Sequence, residues 1–323
     1  MAESPLTIWA VSDGRAGIEA QAVGLAQAVA RRRPAQVEVK TVRWKGRWGR
    51  LPWRLIPLSA LAPASAIAPP WPDVWIAAGR ATLPLSTRVR RWSQGRTFVV
   101  QVQHPRTSLS HYDLVVPPRH DGLTGPNVFP ITGAPQRLTA ERLAQDLARF
   151  ADRIRPLPAP RVAVLIGGKS KAHDLSPARA AAMGAEIAQA VSRAHGSVLV
   201  TFSRRTPQPA RRALTEALGA LPGWIWDETG ENPYFAFLAA ADVILVTEDS
   251  TNLATEAAFT GKPVQLLSMD GRSKKLAAFH ADLAERGALR SFRGRLETWA
   301  YPPLDETGLA AEELLRRLDG RRT

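Results

Sequence analysis

The chain has 323 residues, no cysteine and a formal net charge of +14. This length can build two hydrophobic cores. The absence of cysteine excludes disulfides and thiolate metal sites. The chain contains no run of about 18 apolar residues, which a transmembrane helix would need, and its start lacks a signal-peptide pattern. We therefore expect a cytoplasmic protein.

The basic charge predicts an anionic partner, which would be a phosphorylated substrate, a membrane surface or a nucleic acid. No helix-turn-helix, zinc-finger or RNP-type motif occurs in the sequence. Sequence-specific nucleic-acid binding is therefore not expected.

The first half of the chain alternates predicted strands and helices. In order, these are a strand at 6–11, a helix at 16–32, strands at 37–42, 74–78, 97–102 and 114–116, and a helix at 138–155. Three prolines then fall within six residues, Arg155-Pro-Leu-Pro-Ala-Pro160. Such a segment predicts a stiff linker, so we place a domain boundary there.

The alternation restarts after the linker. The predicted elements are a strand at 161–166, a helix at 176–195, strands at 197–202 and 223–226 with a helix at 209–220 between them, a helix at 233–240, a strand at 243–246, a helix that ends at Gly261, and a helix at 277–286. Two such series predict an α/β fold with two doubly wound, Rossmann-like domains, 1–155 and 161–303, facing a cleft. The tail, 304–323, predicts a helix that could return to the first domain.

The clearest candidate site follows the strand at 243–246. Asp249, Ser250, Thr251 and Asn252 are all good N-cap residues, so a helix begins at the carboxyl end of this strand. Ligands of open α/β sheets bind at such edges, and helix N-termini favour anions. Glu256 lies within the first two turns, where it could reach a ribose. The alternative is an ordinary strand–helix unit with a good cap.

Two further loops suit a diphosphate. Gly167 and Gly168 follow the strand at 161–166 and would free backbone amides, while Lys169 adds charge and Ser170 can donate. The Walker spacing is missing, which disfavours ATP hydrolysis, and a plain tight turn is the alternative. A second loop, with Ser203 and Arg204, ends the strand at 197–202 and could contact a phosphate or a base.

The loops of the first half offer acids and arginines. Asp13 and Glu19 are the candidates for a general base, although Asp13 could merely shape the turn. The candidate contacts for an acidic acceptor are Gly14, Arg15, Gly17, Arg80 and Arg106. The first loop is not GxGxxG, so no nicotinamide site is predicted. The spacing of the histidines fits no common metal site.

The segment 43–54 mixes tryptophan with basic residues and contains no acid. Tryptophan favours membrane interfaces and arginine favours anionic headgroups. The candidate membrane contacts are Trp44, Arg47, Trp48, Arg50, Trp53 and Arg54. The alternatives are a loop that covers the core of the first domain and a stacking platform for single-stranded nucleic acid.

Several motifs together resemble the mitochondrial-fission "elongated mitochondria" family. They occur in the family's order along nearly the whole chain, and they are Asp13-Gly-Arg-Ala-Gly-x-x-x-Gln21, Gly79-Arg80, Pro105-Arg106, Tyr112-Asp-Leu-Val-Val-Pro117, His120-Asp121, Gly125-Pro-Asn127, Gly167-Gly-x-Ser170, Thr247-x-Asp-Ser250, Glu256-Ala-x-x-Thr-Gly-Lys-Pro263 and Tyr301-Pro-Pro-Leu-Asp-Glu-Thr307. The family's plant member is a peripheral outer-membrane protein that recruits a dynamin-related protein. The arginine-rich composition favours a bacterial member, to which the fission role transfers poorly.

The second half is also similar to the donor domain of GT-B glycosyltransferases of the MurG type. That resemblance implies that Gly167, Gly168 and Ser170 contact a diphosphate and that Glu256 contacts the ribose. Asp249, Ser250 and Thr251 would face the diphosphate or the sugar.

The leading hypothesis is an inverting, metal-independent glycosyltransferase that uses a nucleotide-sugar donor and no other cofactor. It would transfer the sugar to an anionic envelope lipid or glycan at the inner face of the cytoplasmic membrane. The alternatives are a sugar-nucleotide epimerase of similar fold and a non-catalytic peripheral-membrane adaptor.

Overall fold

Residues 4–321 are described by a computed structural model. Within them the chain forms two units. Unit 1 contains residues 4–137 and 305–321, and unit 2 contains Leu138–Leu304.

Unit 1 is built on a five-stranded parallel sheet. Its elements are β1 (Leu6–Ser12), α1 (Ala16–Ala30), β2 (Ala35–Thr41), β3 (Val74–Ala78), α2 (Leu83–Trp92), β4 (Phe98–Val102) and β5 (Leu114–Val116). The strand order is β2-β1-β3-β4-β5. Every residue of β3, β4 and β5 is buried. These strands are continuous apolar runs because both faces of a parallel sheet are covered.

Unit 2 contains a six-stranded parallel sheet. Its elements are α3 (Ala140–Arg149), α4 (Ala151–Ile154), β6 (Arg161–Ile166), β7 (His173–Asp174), α5 (Pro177–Arg193), β8 (Ser197–Phe202), α6 (Gln208–Leu218), β9 (Gly223–Ile225), α7 (Tyr234–Ala240), β10 (Val243–Thr247), α8 (Thr251–Phe259), β11 (Val264–Leu267), β12 (Asp270–Gly271), α9 (Lys274–Glu285) and β13 (Leu289–Ser291). The large sheet has the order β13-β11-β10-β6-β8-β9, and β7 pairs with β12 in a separate antiparallel ribbon. Two buried apolar clusters, one on each face, cover the large sheet.

The boundary between the units differs from the one that the proline segment predicted. Helices α3 and α4 belong to unit 2, although the sequence placed this stretch in the first domain. Leu143, Leu147 and Phe150 pack on the unit 2 core, and the ring of Phe150 lies 5.6 Å from that of Trp224. The proline segment therefore lies inside unit 2, because the apolar stripe before it is buried there.

The last helix, α10 (Glu306–Gly320), belongs to unit 1. Leu314 and Leu318 are buried in the core that contains α1. The side chains of its first two residues bind the loop that precedes α3. Glu306 Oε2 accepts the N–H of Thr132 at 2.6 Å, and Thr307 Oγ1 accepts that of Gln136 at 3.0 Å. The motif at 301–307 thus anchors this helix.

Each sheet reverses its strand order at one point, which is where open α/β sheets bind ligands. In unit 1 this switch point lies between β1 and β3, and in unit 2 it lies between β6 and β10. No helix within residues 4–321 combines the length and apolar character needed to span a membrane.

Candidate functional site

A buried carboxylate occupies the switch point of unit 2. The side chain of Asp249 is fully buried, and its Oδ2 accepts the N–H of Gly168 at 3.0 Å and a guanidinium N–H of Arg205 at 2.8 Å. Thr247 donates its hydroxyl to Asp249 Oδ1 at 2.8 Å and accepts the N–H of Gly167 at 2.7 Å. The loops after β6, β8 and β10 are thereby joined through one side chain.

This arrangement differs from the predicted diphosphate cradle. The amides of Gly167 and Gly168 are paired within the protein, and Asp249 faces them rather than a ligand. A Cβ at Gly167 would lie 2.0 Å from Asp249 Oδ1, and one at Gly168 would lie 2.1 Å from the carbonyl oxygen of Arg205. Glycine is required at both positions because other parts of the chain approach closely. Arg205 and Thr247 carry this network. Thr247 belongs to the Thr247-x-Asp-Ser250 motif, whereas Arg205 was not predicted as a site residue.

The rest of the predicted cradle also forms local structure. Ser170 Oγ accepts the N–H groups of Ala172 and His173 at 3.2 and 3.0 Å. Lys169 forms an exposed ion pair with Asp174 at 3.0 Å. These two side chains shape the turn that leads into β7.

An open pocket of about 560 Å³ lies beside the switch point, at the carboxyl ends of β6, β8 and β9. Its walls include the aromatic residues Phe202, Trp226 and Tyr234. Ser203 and Arg204, which the sequence predicted as ligand contacts, also line it. We call it the aromatic pocket. Its aromatic walls were not predicted, although Phe202 and Trp226 end strands that the sequence identified and Tyr234 lies in the predicted helix at 233–240.

Tyr234 connects the aromatic pocket to Glu256. The hydroxyl of Tyr234 donates to Glu256 Oε2 at 2.5 Å. Burial raises the pKa of Glu256 to about 7, and the hydrogen bond from Tyr234 opposes that rise. Burial and the adjacent carboxylate raise the pKa of Tyr234 well above its ordinary value. Glu256 therefore supports the pocket wall from behind and is not itself among the residues that line the pocket.

The helices that carry this pair are held together at their other ends. Lys262 follows α8 and donates its ammonium group to the carbonyl oxygens of Leu238, at 3.2 Å, and Ala239 in α7. Burial lowers the pKa of Lys262 to about 8. This residue of the Glu256–Pro263 motif thus fixes α7 against α8, and the fixed spacing lets Tyr234 reach Glu256.

The beginning of α8 lies next to the pocket. Ser250 is the N-cap, and its Oγ accepts the N–H of Leu253 at 3.3 Å. Leu253 lines the aromatic pocket, and Ser250, Thr251 and Asn252 are partly buried. The predicted N-cap of α8 is therefore confirmed, and the first turn of α8 contributes Leu253 to the pocket wall.

In unit 1, the predicted acids lie at the carboxyl end of β1. Asp13 forms an ion pair with Arg15 at 2.8 Å and accepts its backbone N–H at 3.2 Å, so it shapes this turn. Gly14 adopts a φ of +78°, which favours glycine. Gly17 and Glu19 lie in the first turn of α1, where Glu19 is partly buried.

The predicted acceptor arginines lie at neighbouring strand ends of the same unit. Arg80 follows β3, is exposed, and donates to the carbonyl oxygen of Gly49 at 3.4 Å. Arg106 follows β4, is exposed, and adopts a φ of +51°. Across residues 4–321, no three His, Asp or Glu side chains form a group that could hold a metal ion.

The tryptophan-rich segment divides between core and surface. Trp44 and Trp53 pack on the core of unit 1, and Trp44 Nε1 donates to the carbonyl oxygen of Ala81 at 3.0 Å. Trp48 is 41% exposed and Leu55 is 63% exposed. The neighbouring exposed residues are Arg47, Arg50, Leu51, Arg54 and Leu58. We call the exposed residues from Arg47 to Leu58 the Trp48 patch.

We expect Asp249→Ala to destabilise the protein by about 3 kcal/mol, because it leaves the buried Gly168 N–H and Thr247 hydroxyl without their acceptor. Urea unfolding measures the change. Asp174→Ala is the matched control and should destabilise the protein much less, because the half-exposed Asp174 carboxylate pairs with Lys169 and accepts the N–H of the adjacent Leu175 in contact with solvent. Equal effects of the two substitutions would contradict the structural role of Asp249.

The raised pKa of Glu256 should make the free energy of unfolding depend on pH. Because its folded pKa lies above the ordinary value of 4.5, the folded state binds more protons than the unfolded state between about pH 4.5 and 7. The free energy of unfolding should therefore fall by about 3 kcal/mol as the pH rises across that window, relative to Glu256→Gln. Tyr234→Phe should extend the upper limit of the window to higher pH, since it removes the hydrogen bond that opposes the rise of the Glu256 pKa. Parallel pH profiles for the wild type and Glu256→Gln would rule this out.

Comparison with known structures identifies the fold. The UDP-GlcNAc 2-epimerase from Methanocaldococcus jannaschii is 12% identical, with 98% of this chain and 100% of that chain covered and a TM-score of 0.60. Its complex with UDP-GlcNAc and UDP gives a TM-score of 0.56. The glycotransferase of kitacinnamycin is 16% identical, with 99% of this chain and 94% of that chain covered and a TM-score of 0.52. The predicted α/β, GT-B-like fold is thus confirmed.

Sequence comparison identifies the family. The "Mitochondrial fission ELM1" protein of Arabidopsis thaliana is 34% identical over 284 residues, which are 77% of this chain and 65% of the plant protein. The chain therefore matches less than two thirds of that relative's length. The family model described as "Mitochondrial fission ELM1" matches residues 16–318, and the chain accordingly belongs to the mitochondrial fission ELM1 family.

Proposed function

We propose that unit 2 binds a nucleotide sugar in the aromatic pocket and that the protein is a glycosyltransferase acting on an anionic envelope lipid or glycan. The observation that carries the proposal is the aromatic pocket itself, with Tyr234 held by Glu256 behind it. The pocket lies at the carboxyl edge of a doubly wound sheet, which is the general ligand position of this architecture.

The chemistry of the walls suits a nucleoside. Phe202 and Trp226 offer flat apolar faces for a base. Ser203 and the exposed guanidinium of Arg204 can contact phosphate oxygens. The N-terminus of α8 adds a favourable dipole for a diphosphate. The backbone amides of Gly167 and Gly168 do not bind the ligand in this proposal. The N–H of Gly167 already donates to Thr247, and that of Gly168 to Asp249.

In the proposed reaction a base removes the proton of an acceptor hydroxyl, whose oxygen attacks the anomeric carbon while the nucleoside diphosphate leaves. Of the two candidate acids, Asp13 is already paired with Arg15 at 2.8 Å. Glu19 is therefore the better candidate for the base. Arg80 and Arg106, both exposed at strand ends of unit 1, would attract the anionic acceptor.

A sugar-nucleotide epimerase is the second candidate for the same pocket. It is favoured by the TM-score of 0.60 to the archaeal UDP-GlcNAc 2-epimerase. An epimerase needs no acceptor, so turnover of a free sugar nucleotide without lipid would support it over transfer.

The Trp48 patch supports a peripheral position on an anionic membrane, which we assign to the inner face of the cytoplasmic membrane. Exposed Trp48, Leu51, Leu55 and Leu58 alternate with arginines, and such a surface can enter the headgroup region while its cations meet anionic lipids. A non-catalytic adaptor role would need this surface but no nucleotide.

Thermal unfolding against UDP, CMP, CDP, GDP, ADP and their sugars tests the nucleotide site. A ligand at about 100 times its Kd adds about 2.7 kcal/mol of stability, which raises the Tm by a few degrees. We expect one nucleotide class to stabilise the wild type. Arg204→Ala should weaken its binding about tenfold, because a charge-assisted contact is lost.

Glu256→Ala should abolish that stabilisation, whereas Glu285→Ala, a change of an exposed glutamate in α9, should leave it intact. If no nucleotide stabilises the wild type, the glycosyltransferase and epimerase proposals both fail and the adaptor role is favoured.

Vesicle sedimentation tests the membrane surface. Binding to vesicles that contain anionic lipid should exceed binding to neutral vesicles and should weaken with salt. Trp48→Ser and Leu55→Ser should each reduce the binding to anionic vesicles about tenfold. Each substitution removes an apolar side chain that would move from water into the headgroup region. Leu309→Ser is the control, since Leu309 is 49% exposed but lies on α10. Equal losses for all three variants would contradict the assignment of the patch.

A further inference from the structure

A second cavity of unit 2, of about 390 Å³, lies at the beginning of α9. Its walls include His173, Glu248, Arg272, Ser273, Lys274 and His280. We call it the α9 pocket. It adjoins the carboxyl end of β11, while the aromatic pocket adjoins β8 and β9. The strand order therefore places the two pockets on opposite sides of the switch point between β6 and β10.

His173 is the feature of this pocket that points to a ligand. The residue is 4% exposed, and its Nδ1 atom has no hydrogen-bond partner among the residues described. The backbone around it is fixed, because β7 pairs with β12 through His173 and Gly271, and Ser170 accepts its N–H at 3.0 Å. Buried polar atoms are normally hydrogen-bonded, so a ring nitrogen held in a cavity wall without a partner indicates a ligand atom.

The pocket also carries positive charge. Ser273 is the N-cap of the 12-residue helix α9, and Arg272 and Lys274 flank it with exposed side chains. Neither Arg272 nor Lys274 forms an ion pair with any residue in the range 4–321. A helix N-terminus attracts anions through its open N–H groups and its dipole.

One carboxylate opposes this charge. Glu248 lines the same wall, and its Oε1 accepts the N–H of Met269 at 2.6 Å. Two cations and the helix N-terminus outnumber it, so the balance of the pocket favours an anion.

We propose that the α9 pocket binds an oxyanion, the phosphate or carboxylate group of a small ligand. His173 donates from Nδ1, Arg272 and Lys274 supply charge, and the first turn of α9 supplies backbone N–H groups. The site is separate from the aromatic pocket, and the proposal does not rest on a nucleotide-sugar function.

Isothermal titration of the full chain with inorganic phosphate, glycerol 3-phosphate and acetate tests the site, together with NMR of the His173 side chain. We expect at least one of these anions to bind and to shift the His173 ring signals. Arg272→Ala and Lys274→Ala should each weaken binding about tenfold. Tighter binding of the phosphates would assign a phosphate ligand, and tighter binding of acetate would assign a carboxylate.

Lys275→Ala is the matched control, because Lys275 is the next residue of α9 and does not line the pocket. It should leave binding unchanged, as should Glu256→Gln. Loss of nucleotide binding with intact phosphate binding would therefore count only against the proposed function. The site is overturned if saturating anion leaves the His173 signals unmoved, or if Arg272→Ala and Lys274→Ala bind as tightly as the wild type.

Discussion

The buried carboxylate of Asp249 is the constraint on which the arrangement of unit 2 depends. It joins the loops after β6, β8 and β10 through Gly168, Arg205 and Thr247. A buried charge is tolerated only when it is well paired, so these loops are held in one arrangement. The position where a phosphate would be expected is thereby filled by the protein's own anion.

This constraint explains where ligand sites remain. With the centre of the switch point closed, open space lies on either side of it, in the aromatic pocket near β8 and β9 and in the α9 pocket near β11. The two differ in character. The first offers aromatic faces and a tyrosine backed by a carboxylate. The second offers cations, a helix N-terminus and the Nδ1 atom of His173, which has no hydrogen-bond partner within residues 4–321. Each therefore suits a different part of a ligand, or a different ligand.

The parallel strands were predictable from sequence because they are apolar runs bounded by turn residues. Helices α3 and α4 were assigned to the wrong side of the boundary, since a proline segment marks a stiff stretch but does not say which core an apolar stripe joins. The sequence predicted that Gly167 and Gly168 form an open cradle for a ligand. A glycine indicates that another group approaches the backbone closely, but it does not identify that group, which is the Asp249 carboxylate at Gly167 and the Arg205 backbone at Gly168. Likewise, Tyr234 and Glu256 are 22 residues apart in sequence, and only the packing of α7 on α8 brings them together.

The role of Asp249 and of the aromatic pocket is tested most directly by a crystal structure of the protein with the nucleotide sugar that stabilises it best. We expect the base to lie against Trp226 and Phe202, Tyr234 to keep its hydrogen bond to Glu256, and Asp249 to remain on the N–H of Gly168. A diphosphate bound to the amides of Gly167 and Gly168, with Asp249 displaced, would contradict this arrangement.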